Sequence, residues 1–227
     1  MTTPIIAIRP EPGLTETLEL GQKMGLDMQG FALSRALACD WEVPDPGQFD
    51  AILAGSANAF RGGADALSKL RGLPVFAVGQ KTADAAEEAG FVVARKGTGG
   101  LQALIDDLGP EKRHLLRLSG KDRVALELPA ETTMQAMITY RMESLEMTEE
   151  CAQALRTPSL VLLYSASSAA HFRACCARRD LDLSAISIAA LGPRIGAAAG
   201  EGWRAVHSSE KPVDADLLAL AKSLCQL

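Results

Sequence analysis

At 227 residues with a formal net charge of −5, the chain is long enough for one large domain or two small ones and too acidic for broad nucleic-acid binding, which needs a basic field. Its 48% hydrophobic and 22% charged residues are those of a globular protein, and no run is apolar enough to cross a membrane, so neither nucleic acid nor membrane is expected as a partner. Five cysteines without a C-x-x-C pair fit a reducing cytoplasm, with thiols serving as small apolar residues.

The first residues, Met1-Thr2-Thr3-Pro4, lack the basic region of a signal peptide. Ile5-Ile6-Ala7-Ile8 reads as a short strand, Arg9 to Gly13 as its loop, and Leu14 to Met24 as a helix ended by Gly25. Residues 27–38 show no helical period and lead into a polar stretch with prolines. Asp50-Ala51-Ile52-Leu53-Ala54 is the next buried strand, followed by the small turn Gly55-Ser56-Ala57-Asn58 and a helix. Leu73-Pro74-Val75-Phe76-Ala77-Val78-Gly79 is another strand, then a helix from Gln80 and the pair Gly90-Phe91. Val92-Val93-Ala94 reads as a last strand and Leu101 to Leu108 as a closing helix. Leu115-Leu116-Arg117-Leu118-Ser119 repeats the opening strand; Val124 onward is expected to be helical, and Met137 to Met142 extended.

From Ser159 the pattern returns. Ser159 to Leu163 is a strand, Tyr164-Ser165-Ala166-Ser167 a small turn, Ile186 to Leu191 a strand ending at Gly192, and Gly202-Trp203 matches Gly90-Phe91. Ala205-Val206-His207 and Leu217 to Leu224 are the counterparts of the last strand and helix. An internal duplication of this size dictates the architecture. Strands alternating with helices require parallel sheets covered on both faces, and the unbroken apolar runs agree. The expected fold is α/β, with two flavodoxin- or Rossmann-like parallel-sheet domains joined by two extended linkers acting as a hinge. One domain is discontinuous, 1–26 with 148–227; the other is 39–137; the linkers are 27–38 and 138–147.

Ligands of such sheets bind beyond the carboxyl ends of the strands. Those ends carry Arg9, Ser56-Ala57-Asn58, Gly79 with Thr82, Ser119-Gly120, Ser165 and Gly192-Pro193-Arg194. Serines there cap helices, and the same turns expose N–H groups and hydroxyls to an anion. The chain has no G-x-G-x-x-G, P-loop or G-x-S-x-G. His171 and Cys175, four apart, are too few ligands for a metal. No cofactor and no metal are therefore expected.

Arg9-Pro10, Ser56-Ala57-Asn58-Ala59, Ala77-Val78-Gly79-x-x-Thr82-Ala83, Gly120-x-x-Arg123, Ile138-Thr139-Tyr140-Arg141, Tyr164-Ser165 and Ala190-Leu191-Gly192-Pro193 together resemble the uroporphyrinogen-III synthase family, in order and spacing across nearly the whole chain. The resemblance implies a cofactor-free lyase, working as a cytoplasmic monomer on hydroxymethylbilane, a linear polycarboxylate tetrapyrrole. Loss of its terminal hydroxyl leaves an azafulvene, and the enzyme holds the last ring so that closure runs through a spiro-pyrrolenine and inverts it. Such catalysis is positioning and electrostatic support. Tyr140 matches the family's tyrosine as a weak acid for hydroxyl departure. Arg9, Ser56, Ala57, Asn58, Gly79, Thr82, Gly120, Ser165, Gly192 and Arg194 are the expected substrate contacts. Two departures stand out: Gly55 where a hydroxyl residue is common, and Arg194-Ile195 where hydroxyls are common, which makes Arg194 a carboxylate partner. The rivals are a nucleotide-sugar glycosyltransferase, for which both domains are short, and a non-catalytic hinged anion-binding module.

Overall fold

The computed structural model describes residues 3–225; Met1 and Thr2, where the N-terminal segment begins, lie outside the described residues. In chain order the elements are β1 (Ile5–Ile8), α1 (Gly13–Lys23), β2 (Met28–Phe31), β3 (Ser34–Ala38), β4 (Ala51–Ala54), α2 (Ala64–Ser68), β5 (Val75–Ala77), α3 (Gln80–Glu88), β6 (Val93–Lys96) and α4 (Leu101–Asp106). They continue as β7 (Arg113–Gly120), β8 (Thr132–Ser144), α5 (Glu149–Ala154), β9 (Ser159–Leu163), α6 (Ala166–Arg178), β10 (Ile186–Ala190), α7 (Pro193–Ala198), β11 (Ala205–Ser208) and α8 (Asp214–Cys225). Two compact units result: the described residues up to Arg35 together with those from Ser144 onward, and Ala36–Glu143.

The first unit holds a five-stranded sheet in the order β11-β10-β9-β1-β2, parallel throughout. The strands in its middle are buried at every position, and apolar but for Ser159, because both faces are covered. One face buries Ile6, Ile8, Val161, Leu163, Ile186 and Ile188 against Phe172, Cys176 and Trp203; the other buries Ile5, Leu160 and Leu162 against Leu217, Leu218 and Ala221. Phe172 and Trp203 stack with centroids 5.6 Å apart, and the indole N–H donates to Ala199 O at 3.0 Å.

The second unit holds a six-stranded sheet in the order β3-β8-β7-β4-β5-β6. From β8 to β6 its pairings are parallel. Its order reproduces that of the first sheet, with β4, β5 and β6 in the places of β9, β10 and β11, and β7 and β8 in those of β1 and β2. The duplication is thus carried by the sheets, but permuted: the β1–β2 opening precedes its partners in one unit, and β7–β8 follows them in the other.

The helices of the repeat differ. Ser165 starts the 13-residue α6, whereas Ser56 starts only a 3-10 turn, Ala57–Phe60, before the short α2. Gly62 and Gly63 intervene, the latter at φ +69°, a backbone region that breaks a helix and favours glycine. The helix expected from Val124 is absent, and β7 passes to β8 through an irregular strap. Pro129 and the two-residue spacing of Leu126 and Leu128, both packed on the sheet, oppose a helix. Side chains satisfy the strap's backbone instead: Glu127 N–H donates to Gln102 Oε1, Gln102 Nε2 to Glu127 O, and Arg117 Nη1 to Val124 O.

The segments expected as linkers carry strands. Residues 28–31 form the edge strand β2, 34–38 form β3, and 138–144 belong to β8. Extended backbone has a row of N–H and C=O groups to satisfy, and a sheet edge satisfies them: Cys39 N–H donates to Thr139 O at 2.9 Å, and Leu145 N–H to Leu33 O at 2.9 Å.

Burial pushes the thiols of Cys151 and Cys176 from 9.0 up to about 12, and the phenol of Tyr164 from 10.0 up to about 12. The folded state therefore holds these protons more tightly than the unfolded chain. Their stabilisation is complete below about pH 9 and is lost as pH rises toward 12. Thermal melting across that range is expected to show Tm falling steadily; a flat Tm would contradict the burial of these groups.

Candidate functional site

The carboxyl ends of β4 and β7 frame a hollow of about 200 Å³ in the second unit. Gly55, Ser56, Leu101, Arg117, Leu118, Ser119, Gly120, Asp122, Arg123, Val124 and Tyr140 line it. Each part has a local cause. The turn at Ser56 is held by its own Oγ, which accepts from Asn58 N–H at 3.2 Å. Gly55 lets Leu101 lie on the backbone, since a Cβ there would come within 2.4 Å of Leu101 Cδ1.

Gly120 does the same for Tyr140. It pairs with Tyr140 across a register shift between β7 and β8, and a Cβ on it would sit 2.8 Å from the tyrosine Cζ and 3.1 Å from its Oη. The missing side chain seats the phenol in the hollow's lining, where β7 ends and its pairing with β8 stops. Lys121 N–H donates to Tyr140 O at 3.0 Å and closes the turn.

Arg117 enters the hollow from an apolar strand. It is 4% exposed, and its Nη1 donates to Val124 O at 2.9 Å. Its pKa is lowered, first by burial and then by the like charge of Arg123, with Tyr140 acting in the opposite sense. A larger hollow of about 470 Å³ lies between Trp41 and Lys69, lined by Glu42 and Asp45 and by none of the expected site residues.

Other expected residues of this unit sit near by without lining the hollow. Asn58 faces Arg61, whose Nη1 donates to its Oδ1 at 2.9 Å. Ala57 is buried in the turn. Gly79 precedes α3 in extended conformation, and Thr82 is 4% exposed inside the first turn of that helix.

In the first unit Arg9 is committed to the fold. Its Nη1 donates to Asp214 Oδ2 at 2.7 Å and to Thr17 Oγ1 at 2.9 Å, and its guanidinium lies 4.4 Å over the Tyr164 ring. Ser165 caps α6, accepting from Ser168 N–H at 3.1 Å. Gly192 precedes α7, and Arg194 is exposed on that helix.

The hollow thus gathers Ser56, Gly120 and Tyr140 from the expected set. It adds Arg117, Asp122 and Leu101, which the sequence does not mark as contacts, and Ser119 from the end of β7. For Arg117 a signal existed, a lone charge inside the apolar run Leu115 to Leu118. Among the described residues no group of three or more His, Cys, Asp or Glu is placed to hold a metal ion, and His171 instead reaches Leu145 O at 2.8 Å through Nε2.

Replacing Arg9 by Met should leave Asp214 without this cation and Thr17 without this donor. With both ion-pair side chains under 20% exposed (18% and 19%), we expect a loss of about 1–3 kcal/mol, seen as a Tm lower by roughly 2–12 °C. An unchanged Tm would mean that Arg9 does not hold the fold.

The α/β architecture has close solved relatives in shape. Uroporphyrinogen-III synthetase from Helicobacter pylori 26695 superposes with a TM-score of 0.69 at 19% identity, covering 98% of this chain and 99% of that one. A mutant uroporphyrinogen III synthase from the extremely thermophilic bacterium Thermus thermophilus gives 0.56 at 16% identity, covering 99% and 100%. A comparison with curated proteins finds no match. The family model described as uroporphyrinogen-III synthase HemD matches residues 35–219. With that match spanning most of its length, the chain belongs to the uroporphyrinogen-III synthase family, cyclising lyases of tetrapyrrole biosynthesis.

Proposed function

We propose that this chain closes hydroxymethylbilane to uroporphyrinogen III with inversion of the last pyrrole ring, and that the hollow around Tyr140 takes the end of the substrate that reacts. The observation that carries this reading is the family match over 35–219, a span that contains every residue lining that hollow. The chain acts as a monomer in the cytoplasm on this reading; its five free cysteines suit a reducing compartment, and few large apolar side chains are exposed.

The terminal hydroxyl departs as water, taking the phenolic proton of Tyr140, while the lone pair of the adjacent pyrrole nitrogen fills the orbital left on the methylene carbon. The azafulvene then meets the substituted carbon of the last ring rather than the free one, because the ring is held in that orientation. Bond reorganisation through the spiro intermediate inverts it, and the proton lost as aromaticity returns balances the one Tyr140 gave up, restoring the phenol. Arg117 and Tyr140 line the same hollow, so the acid works beside a positively charged wall. Positioning supplies most of the rate, and the phenol the acid. The comparisons lend no support to a nucleotide-sugar transferase or to a non-catalytic anion-binding module.

The direct test is to incubate chelator-treated, gel-filtered protein with freshly made hydroxymethylbilane and resolve the isomers. Formation of isomer III is expected; isomer I alone would refute the reading. Tyr140→Phe should lower turnover about 10- to 100-fold with Tm nearly unchanged, the low end of what acid assistance supplies. Gly120→Ala should also lower turnover, by pushing the ring off its seat, with a small change in Tm. Ser56→Ala and Thr82→Ala should each cost less, because backbone donors remain. Wild-type turnover in Tyr140→Phe would make the phenol structural.

A further inference from the structure

Among the described residues Arg117 is a buried cation without a counter-ion. Across the sheet it is paired with Leu53 on one side and Ala136 on the other, neither of which can neutralise it. Its Nη1 meets Val124 O, but its Nε is buried with no hydrogen-bond partner among the described residues. The charge nearest to it in effect is Arg123, of the same sign. Asp122 lines the same hollow and makes no ion pair with it. Arg9, near the corresponding strand end in the first unit, is by contrast matched to Asp214.

A lone charge in an apolar interior costs free energy that a leucine or methionine would not. A fold that places it on the wall of a hollow beside a second arginine holds positive charge ready for an anion. The hollow, about 200 Å³, has the liquid volume of roughly seven waters, which suits a carboxylate side arm and not a whole tetrapyrrole.

We propose that Arg117 is the receptor for one carboxylate of the polycarboxylate substrate, and that this grip sets the position of the reacting ring against Tyr140. The proposal rests on the function inferred above. Arg123, exposed at the rim, draws the anion in; Arg117, out of water, fixes it through its unpartnered Nε side.

Three proteins test it: wild type, Arg117→Met and Arg117→Lys. Methionine fills the buried path without charge, and Val124, whose carbonyl loses a donor, is 67% exposed and open to water, so Arg117→Met should melt close to wild type. Its KM for hydroxymethylbilane should rise about 10- to 100-fold, the range of a lost charged hydrogen bond, with a smaller fall in kcat. Arg117→Lys should recover part of that loss. A KM for Arg117→Met within about twofold of wild type would overturn the proposal, as would a lysine variant no better than the methionine one. Melting in sodium propionate against sodium chloride of equal ionic strength reads the site without turnover. Propionate should raise the Tm of the wild type above its chloride value and leave that of Arg117→Met unmoved. If the wild type makes no isomer III but still responds to propionate, the functional reading falls and the carboxylate site stands; a wild type indifferent to propionate sinks the site.

Discussion

A parallel sheet with helices on both faces hides everything except the ends of its strands. All else in this molecule follows from that constraint. Once Ile5 to Ile8, Ala51 to Ala54 and Ser159 to Leu163 are buried on both sides, polar and conformationally unusual residues collect where those strands stop. Serines and glycines accumulate there because turns need them, and the same turns present donors to a ligand. Chemistry with modest demands on side chains suits such a place, and closing a ring that is already reactive is chemistry of that kind.

The two units use the same plan to different electrical ends. In the first, the arginine after β1 is spent internally on Asp214, Thr17 and the face of Tyr164. In the second, the arginine inside β7 keeps its charge unbalanced beside the hollow. A net negative charge does not decide what such a hollow favours, because the field there is set within a few ångströms by charges held out of water.

The parallel strands and the duplication were legible in the sequence because doubly buried strands are continuous apolar runs, a pattern that does not depend on partners. Helical content was less so. Val124 to Leu128 is apolar enough for a helix, yet its leucines at two-residue spacing lie flat on the sheet and the strap borrows hydrogen bonds from Gln102 and Arg117. The turn after Ser56 shortens because two glycines follow, an effect of a few residues that periodicity averages away. Arg9 stands after a strand end and reads as a ligand contact; its use in the structure is decided by Asp214, 205 residues away. Arg117 is hidden in the sequence for the opposite reason, since one charge barely alters the apolar character of the run around it. Tyr140 and Gly120 were each visible, but their closeness depends on a register shift between two strands.

The permuted order of the repeat bears on how the chain is made. The second unit draws on one continuous stretch and can finish as soon as β8 leaves the ribosome. The first cannot, because Ile5 pairs with Leu160 and its sheet is completed only by strands near the carboxyl end. Throughout synthesis β1, apolar at every position, waits without the neighbour that will cover its edge. Its brevity, four residues with a proline on either side, keeps that wait safe, since so short an edge offers a poor template for a stray strand.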